Sequence, residues 1–207
     1  MRSWDLRGYL GIRDNGDGLI IEREGALNAI LTQNLLILVN PSEVLANDDE
    51  LEYNIEVSRR TITDQAFTKV LSDSNVKIKS RVRLLNSNYL IHPVVFYNRA
   101  NALMESDFYV EGSATIVETF IPGRRGKGER FLEGNVKSVT RVYIGDKLMI
   151  YDVFRMRDGD YLDPWVMGDS CLLTTYHVKE GDFSFSREIL PFTKVHQRWS
   201  DLTNIWF

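Results

Sequence analysis

Short runs of alternating apolar and polar residues recur along most of this 207-residue sequence, and they dictate its fold class. In the clearest run, apolar side chains stand at Val76 and Ile78 and again at Val82 and Leu84. A period of two is typical of a β-strand with one buried face and one wet face. Further runs of this kind lie at Glu52–Val57, Val136–Ile144 and Leu148–Phe154.

Residues that favour tight turns separate these runs. Gly145 and Asp146 lie between the last two runs and predict a hairpin there. Many short strands at this spacing are typical of a sandwich, a barrel or a coil of hairpins. We therefore expect an all-β dominated, multi-stranded scaffold of short strands and hairpins, and the sequence shows no internal repeat. The other turn signals are Asp14–Gly18, Asp158–Asp160 and Glu180–Asp182.

The C-terminal segment has a different period. Its apolar residues are spaced three, four, three and four apart, which predicts one face of an amphipathic helix over about 191–206. Pro191 suits the first turn, where its missing N–H costs nothing. The helix is expected to cap the β core, and a partner-binding face is the alternative. The apolar residues are Phe192, Val195, Trp199, Leu202 and Trp206.

Composition limits the class of protein. A chain of this length with 43% hydrophobic residues can bury one core, so we expect a single domain over 1–207. The net charge of -4 argues against nucleic acid as a partner. The lone Cys171 fits a reducing compartment. The sequence has neither a signal-peptide h-region nor an apolar run of membrane-spanning length, so a cytoplasmic location without membrane attachment is predicted.

No pattern of catalytic residues stands out. Cys171 and His177 are six residues apart, which is roughly 20 Å along one strand, so they form no nucleophile–base pair. The glycine-rich stretch 123–129 has Glu129 where a phosphate loop requires lysine. The three histidines are scattered without ligand spacing. The chain is therefore predicted not to be an enzyme and to hold no tightly bound cofactor.

Three blocks, in order, resemble the UreD (UreH) family of urease accessory proteins. Asn40–Leu51 is similar to the family's Asn-Pro segment, although residues such as Ser42 replace its glycines. Thr63–Val70 is similar to its Thr-x-Gln-x-x-Thr-Lys-Val signature, and Val117–Phe131 to its Gly-Arg-x-x-x-Gly-Glu-x-Phe element.

The resemblance implies a non-catalytic β-rich scaffold that acts within an assembly. Such a scaffold would dock on apo-urease, recruit the partners UreF and UreG, and help to insert nickel into the urease active site. In that picture nickel travels along a water-filled internal tunnel as a transient cargo.

The matched blocks supply polar side chains that suit transit better than storage, because thiolates or several imidazoles would trap nickel. Glu118 and Glu129 are the candidates for transient metal contact. The alternative for both is an ion-pair network with Arg124 that pins a loop. The full set of tunnel candidates is Asp49, Thr63, Gln65, Thr68, Glu118 and Glu129. Structural loop roles are expected for Gly123, Arg124, Gly126 and Gly128, and a structural or partner-contact role for Lys69.

Two other functions remain open at this point. One is a β-sandwich binding module for a small molecule or a glycan, with an aromatic surface. The other is a hydrolase that uses Cys171. The aromatic surface would consist of Tyr89, Tyr97, Phe108 and Tyr109.

Overall fold

The computed structural model describes residues 7–14, 18–33, 35–179 and 182–205. The turn signals at 15–17 and 180–181 and the apolar residue Trp206 lie outside the described residues.

Within the described ranges the chain forms seventeen strands and one α-helix, so the expected all-β class with a C-terminal helix is confirmed. Short 3-10 turns lie at Arg125–Lys127 and Asp160–Leu162. The strands are β1 (Arg7–Asp14), β2 (Leu19–Glu24), β3 (Asn28–Thr32), β4 (Leu35–Val39), β5 (Val44–Leu45), β6 (Glu50–Ser58), β7 (Thr61–Asp64), β8 (Thr68–Val70), β9 (Asn75–Leu85), β10 (Asn88–Leu90), β11 (Val94–Phe96), β12 (Asn101–Glu111), β13 (Ala114–Pro122), β14 (Asn135–Ile144), β15 (Lys147–Arg157), β16 (Cys171–Lys179) and β17 (Asp182–Leu190), and the helix is α1 (Phe192–Thr203).

The strands form two facing sheets. The first sheet has the order β15-β14-β12-β9-β6-β1-β2, and its five inner strands run parallel. In the second sheet β4, β7, β10 and β13 lie side by side, as do β5, β8, β11 and the far half of β13. Strands β16 and β17 extend this sheet beyond β13 in antiparallel pairing. The predicted β14–β15 hairpin around Gly145 is confirmed.

The chain winds as a coil between the two sheets. It passes from β6 through β7 and β8 to β9, and then through β10 and β11 to β12. Side chains one coil apart are 26 or 27 residues apart, as in the Arg99–Asp73 and Lys77–Glu50 pairs. The structure thus contains a repeat that the sequence does not display. The coils share alternation but not residue identities, as Glu50–Ser58 and Asn75–Leu85 show.

The main core lies between the sheets and draws on nearly every coil. Leu10, Ile55, Val82 and Phe108 from the first sheet are almost fully buried in it. Ile62 supplies the second sheet's side. Burial of these chains supplies the main favourable term in folding, at about 25 cal/mol for each Å² of apolar surface.

Helix α1 covers the outer face of the second sheet. Its Trp199 is fully buried against Leu90, Val117 and Leu173. Val195 packs in a neighbouring cluster that includes the thiol residue Cys171. The observed helix is slightly shorter than the predicted span of 191–206. Its packing matches the predicted role as a cap of the β core.

Replacing Trp199 with alanine should lower the free energy of unfolding by about 3–5 kcal/mol, because a large buried side chain leaves a cavity. Trp165→Ala is the matched control, since Trp165 is 96% exposed and its loss should change stability by less than about 0.5 kcal/mol. Urea denaturation measures the free energy of unfolding of both variants. Equal losses in the two variants would contradict the packing of α1 on the sheet.

Candidate functional site

A row of polar side chains crosses the inward face of the first sheet. The strand register places Tyr53 beside Ser80, Ser80 beside Ser106, Ser106 beside Thr140, and Thr140 beside Asp152. Ser80, Ser106 and Thr140 are all buried. In parallel strands that pair in register, the inward-facing residues of neighbouring strands lie side by side. One polar residue at the same inward position of each coil therefore creates a continuous polar row.

A second polar row faces it from the other sheet. There Glu118 lies beside Thr174, and Thr174 lies beside Arg187. The rows meet at Glu118, whose Oε2 accepts a hydrogen bond from the Thr140 hydroxyl at 2.8 Å. They meet again where Arg187 pairs with Asp152, with nitrogen–oxygen distances of 2.6 and 2.7 Å. The interior is therefore polar along one line and apolar on both sides of it.

A cavity follows these rows between the sheets. Water centres can occupy about 90 Å³ of it, which is room for several water molecules. One buried polar atom on its wall, Asn40 Nδ2, has no protein partner within the described residues. Because buried polar groups are nearly always hydrogen-bonded, ordered water is expected in this cavity. Its polar wall consists of Asn40, Glu43, Tyr53, Asp64, Gln65, Thr68, Ser80, Ser106, Tyr89, His92, Glu118 and Thr119.

Glu118 is the most perturbed carboxyl group of the cavity. Protein atoms surround it on all sides, yet part of its side chain is reachable by water from the cavity. Burial raises the pKa of Glu118 to about 7, against the opposing effect of hydrogen bonds from Thr140 and Tyr176. This carboxyl is thus close to half-protonated at neutral pH.

Beyond Glu118 the polar line continues to the protein surface. The Tyr176 hydroxyl lies 3.0 Å from Glu118 Oε2 and 2.8 Å from Asp152 Oδ2. Asp152 in turn accepts from Arg187, whose side chain is about one-third exposed. Burial raises the pKa of Tyr176 far above its ordinary value, so its hydroxyl stays protonated. These side chains close the cavity beside β15 and β17.

A further carboxyl on the cavity wall is that of Asp64. Its Oδ1 accepts from the backbone N–H of His92 at 2.8 Å and lies 2.7 Å from His92 Nδ1. Asp64 and Glu118 belong to β7 and β13, which are separated by β10. Two strand spacings put their backbones roughly 10 Å apart.

The structure divides the tunnel candidates into two groups. Gln65, Thr68 and Glu118 line the cavity. Thr63 is buried and donates its hydroxyl to the Leu90 carbonyl at 2.8 Å. Asp49 accepts from the Ala46 N–H at 2.8 Å and so stabilises a turn.

Glu129, the other metal candidate, lies in the glycine-rich loop and does not line the cavity. Its Oε1 accepts from the Asn98 N–H at 2.9 Å, and its Oε2 is 3.4 Å from Arg124. Glu118 does not take part in this ion pair. The geometry therefore fits the pinned-loop alternative for Glu129 and Arg124, and separates both from Glu118.

The glycines of the loop are not equivalent. Gly123 and Gly128 have positive φ angles of 78° and 75°, whereas Gly126 does not and has open space around it. A Cβ at Gly123 would lie 2.5 Å from the Glu129 carbonyl oxygen. Lys69 lies apart from the loop and pairs with Glu43 at 2.8 Å.

Sequence patterns did not single out three residues of the cavity wall, Tyr53, Asp64 and Ser106. They also did not single out Tyr176 and Asp152, which continue the polar line beyond Glu118. One signal for them was present at Ser80, which interrupts the apolar positions of the run from Val76 to Leu84. A polar residue at an inward position of an alternating strand indicates a polar interior. The facing residues cannot be paired without the register.

The features that could serve catalysis lie apart. Burial raises the pKa of the Cys171 thiol to about 12, which leaves it unreactive. His177 is exposed and lies 3.1 Å from the Thr115 hydroxyl. The described part of the chain contains no group of three or more His, Cys, Asp or Glu residues placed to hold a metal ion. Nor does any helix in that part have the length and apolarity to cross a membrane.

Fold and site together define an all-β protein whose interior carries a line of hydroxyl and carboxyl groups beside a cavity of water-sized space. The sequence model of the UreD urease accessory protein family matches residues 31–199, and the chain belongs to that family. The match takes in β4 to β17 and most of α1. No curated protein sequence matches the chain.

Replacing Gly123 with alanine should destabilise the protein by about 2 kcal/mol or more, because a left-handed backbone and a backbone contact both oppose a Cβ there. Gly126→Ala is the control and should stay within about 0.5 kcal/mol of the parent. The urea midpoint reports the difference. A Gly126 variant as unstable as the Gly123 variant would refute this description of the loop.

Glu118 should make stability depend on pH. Its folded-state pKa of about 7 lies above the ordinary value of 4.5, so the native state holds this proton more tightly than the unfolded chain. The free energy of unfolding should therefore fall by on the order of 3 kcal/mol as the pH rises from 4.5 to above 7. Glu118→Gln lacks this titration. Denaturation of both proteins at pH 5 and pH 8 measures the effect. If the free energy of unfolding changes between the two pH values as much in Glu118→Gln as in the parent, the assignment is contradicted.

Proposed function

We propose that this urease accessory protein is a non-catalytic scaffold that carries nickel toward the urease active site through its interior. In this proposal it binds apo-urease together with UreF and UreG, and it works in the cytoplasm. The observation that carries the proposal is the in-register polar line between the sheets, with the carboxyl groups of Glu43, Asp64 and Glu118 on the wall of a cavity of water-sized space.

The chemistry of the cavity wall supports transit rather than storage. Hydroxyls, the amides of Asn40 and Gln65, and separate carboxyls are weak oxygen ligands for nickel, a divalent ion that stands high in the affinity series. Glu118, whose pKa is near neutrality, attracts a cation less strongly than a fully ionised carboxylate. Asp64 lies roughly 10 Å away, so neither carboxyl reinforces the other as a joint chelate. Such a wall lets a hydrated ion enter and leave.

The two ends of the line differ. At one end Asn40, Glu43 and Gln65 are partly exposed, and Glu43 is held by Lys69. At the other end the Asp152–Arg187 pair closes the way between the two sheets. A partner that supplies nickel and a partner that receives it would have to meet these two different surfaces.

The aromatic binding module is a poorer fit. Tyr89 and Phe108 pack against each other in the core, with ring centroids 5.0 Å apart. Tyr109 stacks on Tyr143 instead, and Tyr97 lies under Arg124. The four aromatic side chains therefore do not form one surface for a sugar.

The test is nickel loading of urease co-expressed with its accessory proteins. Glu118→Gln should lower the nickel content of purified urease several-fold while the scaffold stays folded, because a waypoint on the line loses its charge. Glu129→Gln is the matched control, since Glu129 does not line the cavity, and it should leave loading unchanged. Full loading with Glu118→Gln would count against the passage, and equal losses in both variants would point to a general folding defect.

A further inference from the structure

The C-terminal helix is connected to the cavity by a short chain of contacts. Trp199 of α1 donates its indole N–H to the Ile91 carbonyl at 2.8 Å. The same indole stacks on the His92 ring, with centroids 4.1 Å apart and an interplanar angle of 29°. His92 is 4% exposed, so the helix and the sheet enclose it.

His92 in turn fixes Asp64. Both its backbone N–H and its Nδ1 reach the same carboxylate oxygen, Oδ1, at 2.8 and 2.7 Å. Because a carboxylate only accepts hydrogen bonds, the Nδ1 atom is assigned the proton. Two donors on one oxygen leave little rotational freedom, and Oδ2 has no protein partner in the described residues. Asp64 lies on the cavity wall, so Oδ2 remains for what the cavity holds.

We infer that His92 and Trp199 are positioning residues for Asp64, which is a cation-binding waypoint in the cavity. Helix α1 then does more than cover the second sheet, because it sets the geometry of a ligand oxygen inside the protein. The waypoint role of Asp64 rests on the proposed function, whereas the positioning by His92 is a property of the isolated chain. A metal ligand whose supporting hydrogen bond is lost typically binds about 10- to 100-fold more weakly.

The experiment uses the isolated full-length chain and Mg²⁺, a diamagnetic ion that prefers oxygen ligands and shifts the ¹³C NMR signal of a carboxyl group that binds it. The Mg²⁺ concentration that gives half of the full shift of the Asp64 carboxyl signal is the affinity at that residue, and the Glu118 carboxyl signal is followed in parallel. Asp64→Asn should abolish the effect at residue 64 and preserve it at residue 118.

His92→Ala should weaken binding at Asp64 by about tenfold, at the lower end of that range. His92→Asn should restore most of it, because its amide nitrogen stands close to the position of Nδ1. Trp199→Phe keeps an aromatic ring on His92 but removes the bond to Ile91, so an intermediate loss is expected. His177→Asn, an exposed histidine away from the cavity, should have no effect.

Unchanged affinity at Asp64 in folded His92→Ala, or a loss that His92→Asn does not repair, would overturn the inference. If His92→Ala does not fold, the positioning of Asp64 is tested with Trp199→Phe and His92→Asn. An affinity at Asp64 equal to the parent's in Trp199→Phe then overturns the role of the helix. Absence of Mg²⁺ binding at Asp64 in the parent chain would overturn the inference as well. If the affinities shift as expected but Asp64→Asn leaves urease nickel content unchanged, the positioning stands and the passage through Asp64 fails.

Discussion

Parallel register between successive coils is the constraint on which the rest of the structure depends. It places each inward side chain directly beside its counterpart one coil away, so a polar residue gains a polar neighbour. The row from Tyr53 through Ser80 and Ser106 to Thr140 follows from this stacking. An isolated inward serine would cost free energy, whereas adjacent hydroxyls and water share hydrogen bonds. The same register keeps the apolar core intact on both sides of the line.

The electrostatics of the interior follow from how few charges it contains. Glu118 accepts hydrogen bonds from two hydroxyl donors, and the charge of Arg187 acts on it more weakly than burial does, so its pKa stays near 7. Asp64 is fixed by a histidine, and the more distant Asp152 is already paired with Arg187. Each carboxyl thus has a different degree of neutralisation. This gradation suits passage of an ion better than a compact chelating cluster does.

The outer face of the first sheet illustrates why charge alone does not mark a site. Lys77 pairs with Glu50, and Arg141 pairs with Asp107, across neighbouring parallel strands. These pairs are well exposed or only half-buried and contribute little to stability. They keep the outer face of the sheet hydrated, whereas the polar row beside the cavity lies on the opposite, inward face.

Alternation and turn residues were sufficient to predict the β class and the β14–β15 hairpin, and the spacing of three and four between apolar residues was sufficient to predict the C-terminal helix. The family was recognisable from three short blocks, which the family match contains. The coil repeat was not predictable, because the coils share a period and not residues. The cavity was predictable only in part: Gln65, Thr68 and Glu118 line it as expected, whereas Asp64 was recognised only from the folded structure. Asp152, which lies beyond the cavity, was recognised only from the strand register. Motif membership cannot tell an inward carboxylate from one that braces a loop, which is why Glu118 and Glu129 were grouped together.

The most direct test of the central claim is anomalous X-ray scattering at the nickel absorption edge from crystals of the protein soaked in Ni²⁺. The account predicts partially occupied nickel and ordered water between the sheets, close to Asp64 and Glu118. The central claim would be contradicted if anomalous signal appeared only on the outer surface of the protein and no ordered water was found between the sheets.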